Sequence, residues 1–288
     1  MINELLNTPF LPDDEYYYLE SKRDFVAVKH NDLIQKQKFT IQKNKGESLS
    51  ILEQKALLYI ISRIKPDDTE LNEQVFDIKE FCSICGISAS NSGGTYKMLK
   101  DVIVKLKSRV MWLYTEEKET TVSWIDKATI YKHKGKITIK LDDDLKPYLL
   151  MLHRNYTKIP LFNIIRMKSK YGIQLYELLQ SYIYQRGDKT FTIEFLKEYL
   201  DCTNYDSFAN FKRRVLIPAL DDINTYSNLL VDIKLIKSGR QYEKITFYMR
   251  DLQQSDKIED REEYFRRSAN VQREFPENQY VIEGFEKY

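Results

Sequence analysis

"FKRRVLIPALDDIN" (residues 211–224) is the stretch on which the fold turns. Phe211, Val215, Ala219 and Ile223 recur at helical spacing. Yet Pro218 stands in the middle, and Lys212, Arg213 and Arg214 crowd just ahead of it. A proline inside a helix removes one backbone hydrogen bond, and its ring meets the carbonyl four residues back, here that of Arg214, at a cost of roughly 3 kcal/mol. Extended to 207–227, the segment is predicted to be one long helix. At about 100° per residue, Phe208 joins Phe211, Val215, Ala219 and Ile223 in a core stripe. Ser207, Asn210, Arg213 and Arg214 fall on the other side, near the N-terminal end, and Lys212 sits at the stripe's edge with its ammonium reaching for water. Helix-turn-helix proteins lay such a helix in the major groove. Arg suits guanine there, Asn suits adenine, and Ser reaches a base or a phosphate. A bend at Pro218 would let the basic half follow the groove while "ALDDIN" stays in the core, with Asp221 and Asp222 away from phosphates. A surface helix with solvated cations fits the same residues taken alone.

The segment behind it weighs against that plainer alternative. "LLVDIKLIKSGRQYEKITFYM" (229–249) is a predicted hairpin turning at Ser238-Gly239, and it carries Lys234, Lys237, Arg240 and Lys244. Residues 207–250 hold eight Lys and Arg against four Asp and Glu, a local +4 in a chain of net charge +2. A basic hairpin beside a basic helix is the phosphate-gripping arrangement of a wing.

Ahead of the long helix come a helix in "KYGIQLYELLQSYIYQ" (170–185) and a strand that turns into a short helix in "KTFTIEFLKEYLDC" (189–202). The first half of the chain has the same order. Ser50 and Glu53 form a predicted capping box for a helix ending near Pro66. "VFDIKEFCSICGI" (75–87) is again strand then short helix, and "TYKMLKDVIVKLKSRV" (95–110) a long helix burying Tyr96, Leu99, Val102, Ile103, Leu106 and Val110. "FDIKEF" (76–81) parallels "FTIEFL" (191–196), and both Phe76 to Tyr96 and Phe191 to Phe211 span 20 positions. The chain is therefore expected to be α+β: two tandem winged helix-turn-helix domains related as an internal repeat. The expected limits are an arm at 1–24, domain one at 25–155, domain two at 156–250 and a charged tail at 251–288, with a bridging helix in "DDLKPYLLMLHRN" (143–155). In domain one, Thr95, Lys97 and Lys105 are candidate DNA contacts and "YKHKGK" (131–136) a basic turn. Asp101 and large apolar residues such as Trp112 and Trp124 suit this domain equally to pairing with another subunit.

Composition sets the outer limits. A chain of 288 residues accommodates two domains. With 42% apolar and 31% charged residues it is globular, and only 9 Gly and 7 Pro argue against a loop-rich all-β fold. No apolar run approaches the ~20 residues that cross a bilayer. "MINELLNTPFLPDDEYYYLE" lacks the basic-then-apolar order of a signal peptide. Cys82, Cys85 and Cys202 make no disulfide framework. A cytoplasmic location is expected.

Catalytic signatures are thin. There is no G-x-x-x-x-G-K-S/T. Cys82 and Cys85 have neither a second pair nor a spaced His, so zinc is not expected. His30, His133 and His153 are scattered, without the paired histidines of metal-dependent nicking enzymes. The acids of "LDDDLKP" (141–147) suit the positive end of a helix, and "SNSGG" (90–94) suits a flexible turn. No catalytic residue, metal or cofactor is expected.

"VAVKHNDLIQ" (26–35), "LSILEQKALLYIISRIKP" (49–66), "PYLLML" (147–152), "IQLYELLQSY" (173–182), "FKRRVLIPALDDIN" and the final "GR" turn, in this order, resemble the plasmid replication initiators of the Rep_3 type. The resemblance spans roughly residues 25–250. His30 stands where the opening motif usually has Ser. The resemblance implies two winged-helix domains that bind repeated origin sites, the iterons. Monomers of such proteins bind direct repeats, help open AT-rich DNA and recruit host replication proteins (initiator, helicase or primase). Homodimers bind an inverted repeat and repress their own gene. It also implies that Ser207, Asn210, Arg213 and Arg214 lie on the main reader, and that domain one carries the dimer interface and auxiliary DNA contacts. A dedicated transcriptional repressor shares every DNA-binding feature and stays open, and a DNA-nicking enzyme is the third class.

Overall fold

The computed structural model describes residues 25–35, 38–39, 48–65, 68–87, 94–114, 118–131, 134–183, 188–254, 259–260 and 262–263. The expected arm at 1–24, the turns at 43–47 and 88–93, and Pro66 lie outside the described residues.

The first unit opens with β1 (Val26–His30), α1 (Asn31–Gln35) and the two-residue β2 (Lys38–Phe39). Helix α2 (Ile51–Ser62) starts at the expected capping box: Ser50 accepts from the Glu53 N–H and the Glu53 carboxylate accepts from the Ser50 N–H. Strand β3 (Gln74–Asp77) runs into α3 (Ile78–Cys85), where Asp77 accepts from the N–H groups of Lys79 and Glu80. Gly86, in the left-handed region at φ 72°, ends α3. Next come α4 (Gly94–Ser108), β4 (Val110–Tyr114), β5 (Glu119–Ser123), β6 (Ile125–Tyr131) and β7 (Lys136–Leu141).

The bridging helix is shorter than expected. Only a 3-10 turn (Asp143–Leu145) and α5 (Lys146–Leu149) form, with Pro147 in the first turn and Leu150 already extended. Then come β8 (Tyr156–Pro160), α6 (Lys170–Gln180), β9 (Lys189–Thr192) and α7 (Ile193–Tyr199). The long helix α8 (208–226) joins Phe208–Phe211, a π-helical turn Lys212–Leu216 and Ile217–Tyr226. The hairpin β10 (Leu229–Ser238) and β11 (Gln241–Asp251) closes the second unit.

The repeat holds in detail. Asp77 and Thr192 occupy equivalent places, and each caps the short helix that follows its strand. Ile78 and Ile193 are both buried. In each unit the strand before the short helix pairs antiparallel with the last strand of the hairpin, β3 with β7 and β9 with β11. The first unit adds a second hairpin, β4–β5, which pairs with β2. Two winged-helix units thus stand in tandem. Strand β1 pairs antiparallel with β8, across the boundary expected at 155/156.

Polar contacts cross that expected boundary inside one continuous apolar core. Lys29 on β1 and Glu177 on α6 form an ion pair at 2.6 Å with Lys29 only 4% exposed. Gln54 Nε2 donates to the Leu49 and Lys170 carbonyls, Lys170 Nζ to Ser48 Oγ, and the Ser48 N–H to Asp201. Lys29, Gln54, Trp124, Gln174, Glu177 and Tyr199 line a cavity of about 30 Å³ there. Trp124 is buried inside the chain, which corrects its expected availability to a second subunit. The segment after β11 also turns back on the fold: the buried Leu252 donates its N–H to the Asn228 carbonyl, and Asp260 pairs with Arg250 at 3.0 Å.

Replacing Glu177 by Gln leaves the Lys29 ammonium buried without its counter-charge, an expected loss of about 3–5 kcal/mol. The joint change Lys29→Met, Glu177→Leu is expected to lose much less. Urea denaturation of the three proteins makes the comparison. Lys55 on α2 supplies a second test. Burial, only partly offset by Cys85 and Asp222, pulls its ammonium down from 10.5 to about 8. The unfolded chain therefore holds more protons than the native one between those values, and stability rises with pH across that window. This contribution is full above pH 10.5 and lost as pH falls through about 8. Lys55→Met is expected to flatten the rise, with the gap to wild type widest at pH 7 and closing by pH 10.5.

Candidate nucleic-acid interface

Pro218 has no N–H to donate, and the helix is widened just before it. The Ile217 N–H bonds to the Lys212 carbonyl, five residues back, and Pro218 enters on the far side of this π turn. Phe211, Val215, Leu216, Ala219 and Ile223 are fully buried. The C-terminal half is anchored by Asp222, whose carboxylate accepts from the N–H groups of Lys168 (2.8 Å) and Ser169 (2.6 Å) ahead of α6. A Cβ on Gly172 would stand 2.9 Å from this carboxylate, so only glycine fits. Burial pushes the Asp222 carboxyl up, against these two hydrogen bonds.

The N-terminal half is presented to solvent. Ser207 is the N-cap and accepts from the Asn210 N–H at 3.2 Å. Arg213 Nη2 reaches Asn210 Oδ1 at 3.4 Å, which holds the two side chains side by side. Arg213 and Arg214 are exposed, and Lys212 is half-buried as its place at the stripe's edge requires.

The hairpin turns where expected, with Gly239 at φ 61°. Its pleat divides the predicted cations. Leu229, Val231, Ile233 and Leu235 face the core, so Lys237 shares the helix-facing side while Lys234 lies on the other. Lys244 pairs in register with Ile236 on that outer face and sits 3.5 Å from Glu243. Arg240 is at the exposed turn. Phe208, opening α8, packs on Tyr242 of β11 with ring centroids 4.6 Å apart, so the cationic start of the helix and the wing tip lie together. Among the described residues, no carboxylate pairs with Arg213, Arg214, Lys234, Lys237 or Arg240.

The first unit differs. Lys97 is exposed on α4. Lys105 is 61% exposed but leans on Glu53 at 3.9 Å, and Arg109 binds the same carboxylate at 2.8 Å. Thr95 is only 2% exposed, so its expected DNA contact is corrected: it packs inside at the start of α4. Val110 is also corrected. It lies beyond the helix on β4 and is 38% exposed. The lysines of β6 and β7 are matched by acids, Lys127 by Glu73, Lys136 by Asp77, and Lys140 by Asp126 and Asp143. Sequence reasoning missed Lys100, exposed on α4 with its ammonium 4.4 Å from the centroid of Tyr96, and the Phe208–Tyr242 contact. The three cysteines are buried and their thiols pushed up by that burial, as inert packing requires. Among the described residues no group of acids, histidines and cysteines is placed to hold a metal, and no helix is long and apolar enough to cross a membrane.

Two winged helices stand in tandem, the second with an exposed cationic helix start beside a cationic wing, the arrangement by which helix-turn-helix proteins meet DNA. Residues 26–180 match the family described as "Initiator Replication protein, WH1", and residues 192–249 match "Initiator Rep protein, WH2"; the chain belongs to this replication initiator family. A replication initiation protein of Escherichia coli is 24% identical over 194 residues, covering 64% of this chain and 58% of the relative, so the chain spans just under three fifths of that protein. Among solved structures, the Pi initiator protein in complex with iteron DNA superposes with a TM-score of 0.60 at 17% identity, over 78% of this chain and 96% of that one, and shares the fold.

Pro218→Ala permits a regular α-turn in place of the π turn and shifts Arg213 and Arg214 around the axis relative to the buried half. The expected outcome is a melting temperature at or above that of wild type with weaker binding to the cognate DNA, checked by calorimetry and fluorescence anisotropy.

Proposed function

We propose that the chain is a sequence-specific double-stranded DNA-binding initiator of plasmid replication that binds repeated origin sites, helps open the adjacent DNA and represses its own gene. The observation that carries this is the start of α8 and the wing tip, both cationic, unmatched by described carboxylates and joined through Phe208 and Tyr242. Helix α8 enters the major groove with Asn210, Arg213 and Arg214 at base edges and Ser207 at a base or phosphate. Lys212, Lys237 and Arg240 engage phosphates beside it, with Lys234 and Lys244 adding to the positive field from the outer face. Residues 25–155 serve as the dimerisation unit with auxiliary contacts from Lys97 and Lys105, and 156–250 as the reading unit. The protein acts in the cytoplasm as monomer on direct repeats and as homodimer on its operator, and it hands the opened origin to host replication proteins. The Pi initiator bound to iteron DNA supports the choice of ligand.

Nuclease protection of the gene's upstream region is the test. Tandem direct repeats protected in helical phase are expected, and protection of a single inverted repeat alone would mark a dedicated repressor. Arg213→Ala or Arg214→Ala should cost about 1–3 kcal/mol and relax preference at one position of the repeat. Supercoiled origin DNA with Mg²⁺ or Mn²⁺ is expected to remain unnicked.

A further inference from the structure

The register of the wing changes just short of its tip. Ile236 pairs with Lys244, but the next residue, Lys237, pairs with Tyr242, so Glu243 is an extra residue on β11. Ile245, Phe247 and Met249 face the core, and strict alternation would carry Tyr242 to the outer face. The extra residue returns it to the helix side, as a bulge does when it re-aims a side chain. There the Tyr242 ring meets Phe208, whose own ring lies 6.3 Å from that of the buried Phe211, and the Lys237 ammonium sits 4.9 Å from the centroid of Tyr242. A continuous line of tilted ring contacts runs from the core through Phe211, Phe208 and Tyr242 to a wing cation. Lys237 is thereby held on the helix-facing side of the wing, close to the start of α8.

We propose that Tyr242 is a positioning residue for DNA binding, clasping the wing to the start of α8 so that Lys237 meets a phosphate at a fixed offset from the base-reading face of Arg213 and Arg214. The clasp rests on the reading of α8 as the DNA-contacting helix. A bare hairpin would have to order its tip on each binding event, and that ordering entropy subtracts from affinity. With the ring stack in place the tip is already set. Because the contact is to a phosphate, the clasp acts on affinity for every sequence alike and leaves base preference unchanged.

The test is a double-substitution cycle on the full chain, with binding to a cognate repeat and to an unrelated duplex followed by anisotropy across 0.05–0.2 M salt. Tyr242→Ala is expected to weaken both duplexes about five- to tenfold and to reduce the salt slope by about one, the loss of one phosphate contact. Lys237→Ala is expected to do the same, and the double variant to be no weaker than either. Tyr242→Phe, which keeps the ring stack, should bind as wild type does. Additive losses in the double variant, or a Tyr242→Phe loss equal to that of Tyr242→Ala, would overturn the clasp, because Tyr242 would then act independently of Lys237 or through its hydroxyl. If Tyr242→Ala lowers the melting temperature, Phe208→Leu replaces it in the cycle with the same expectation. Wild type failing to prefer the repeat would instead sink the assignment of α8 as reader, a result separate from any in the cycle.

Discussion

Pro218 cannot donate a backbone hydrogen bond, and the second unit is arranged around that lack. A regular α-helix would press its ring on the Arg214 carbonyl. The π turn at Lys212–Leu216 relieves the clash while keeping Phe211, Val215 and Leu216 on the buried side. It also separates two halves with different tasks. The half after Pro218 is fixed by Ala219, Ile223 and the Asp222 carboxylate, which is tied to the backbone ahead of α6. The half before it carries Asn210, Arg213 and Arg214 into solvent. The acidic residues of "ALDDIN" belong to the anchored half, where Asp222 serves packing.

The seam between the units depends on the same anchoring. Helix α6 holds Asp222 at its start and meets Lys29 through Glu177 one face further along. Hydrogen bonds are directional, so the Gln54, Lys170, Ser48 and Asp201 contacts constrain angle as well as proximity. The β1–β8 pairing adds a second directional constraint.

Much of this was legible in the sequence, and the remainder has physical reasons. The repeat could be read because each unit needs the same local signals: a capping residue after a short strand, a helical stripe and a turn. The capping box at Ser50 and the Gly239 turn are local chemistry and lie where expected. The bridging helix after 142 was over-extended because Leu149, Leu150 and Met151 look helical by propensity, whereas Leu150 is extended and Met151 sits at φ 48°. Thr95 and Trp124 were misplaced because burial is set by tertiary partners far along the chain. The π turn left only an indirect trace, the proline itself. The extra residue at Glu243 left none, since a single added residue in a strand is visible only through its partner's register.

Charge was the least legible property, and the reason bears on how the two units divide their work. Counting cations ranks the first unit's lysines beside those of the second, but a surface field is set by what each charge has next to it. In the first unit Lys127, Lys136, Lys140 and Lys146 are each met by an acid, among them Glu70 for Lys146, and Lys105 and Arg109 share Glu53. In the second unit Lys244 is met by Glu243 and Arg250 by Asp260, from the segment after the fold's last strand. The cations at the helix start, at the wing tip and at Lys234 have no carboxylate partner among the described residues. The two halves carry the same net charge, with 22 Lys and Arg against 17 Asp and Glu over 25–155 and 15 against 10 over 156–250, so what sets the second apart is the grouping of its cations at the helix start and the wing tip. The attraction is local and falls off within a Debye length of about 10 Å at 0.1 M salt, so the field at α8 is set by the unmatched cations beside it.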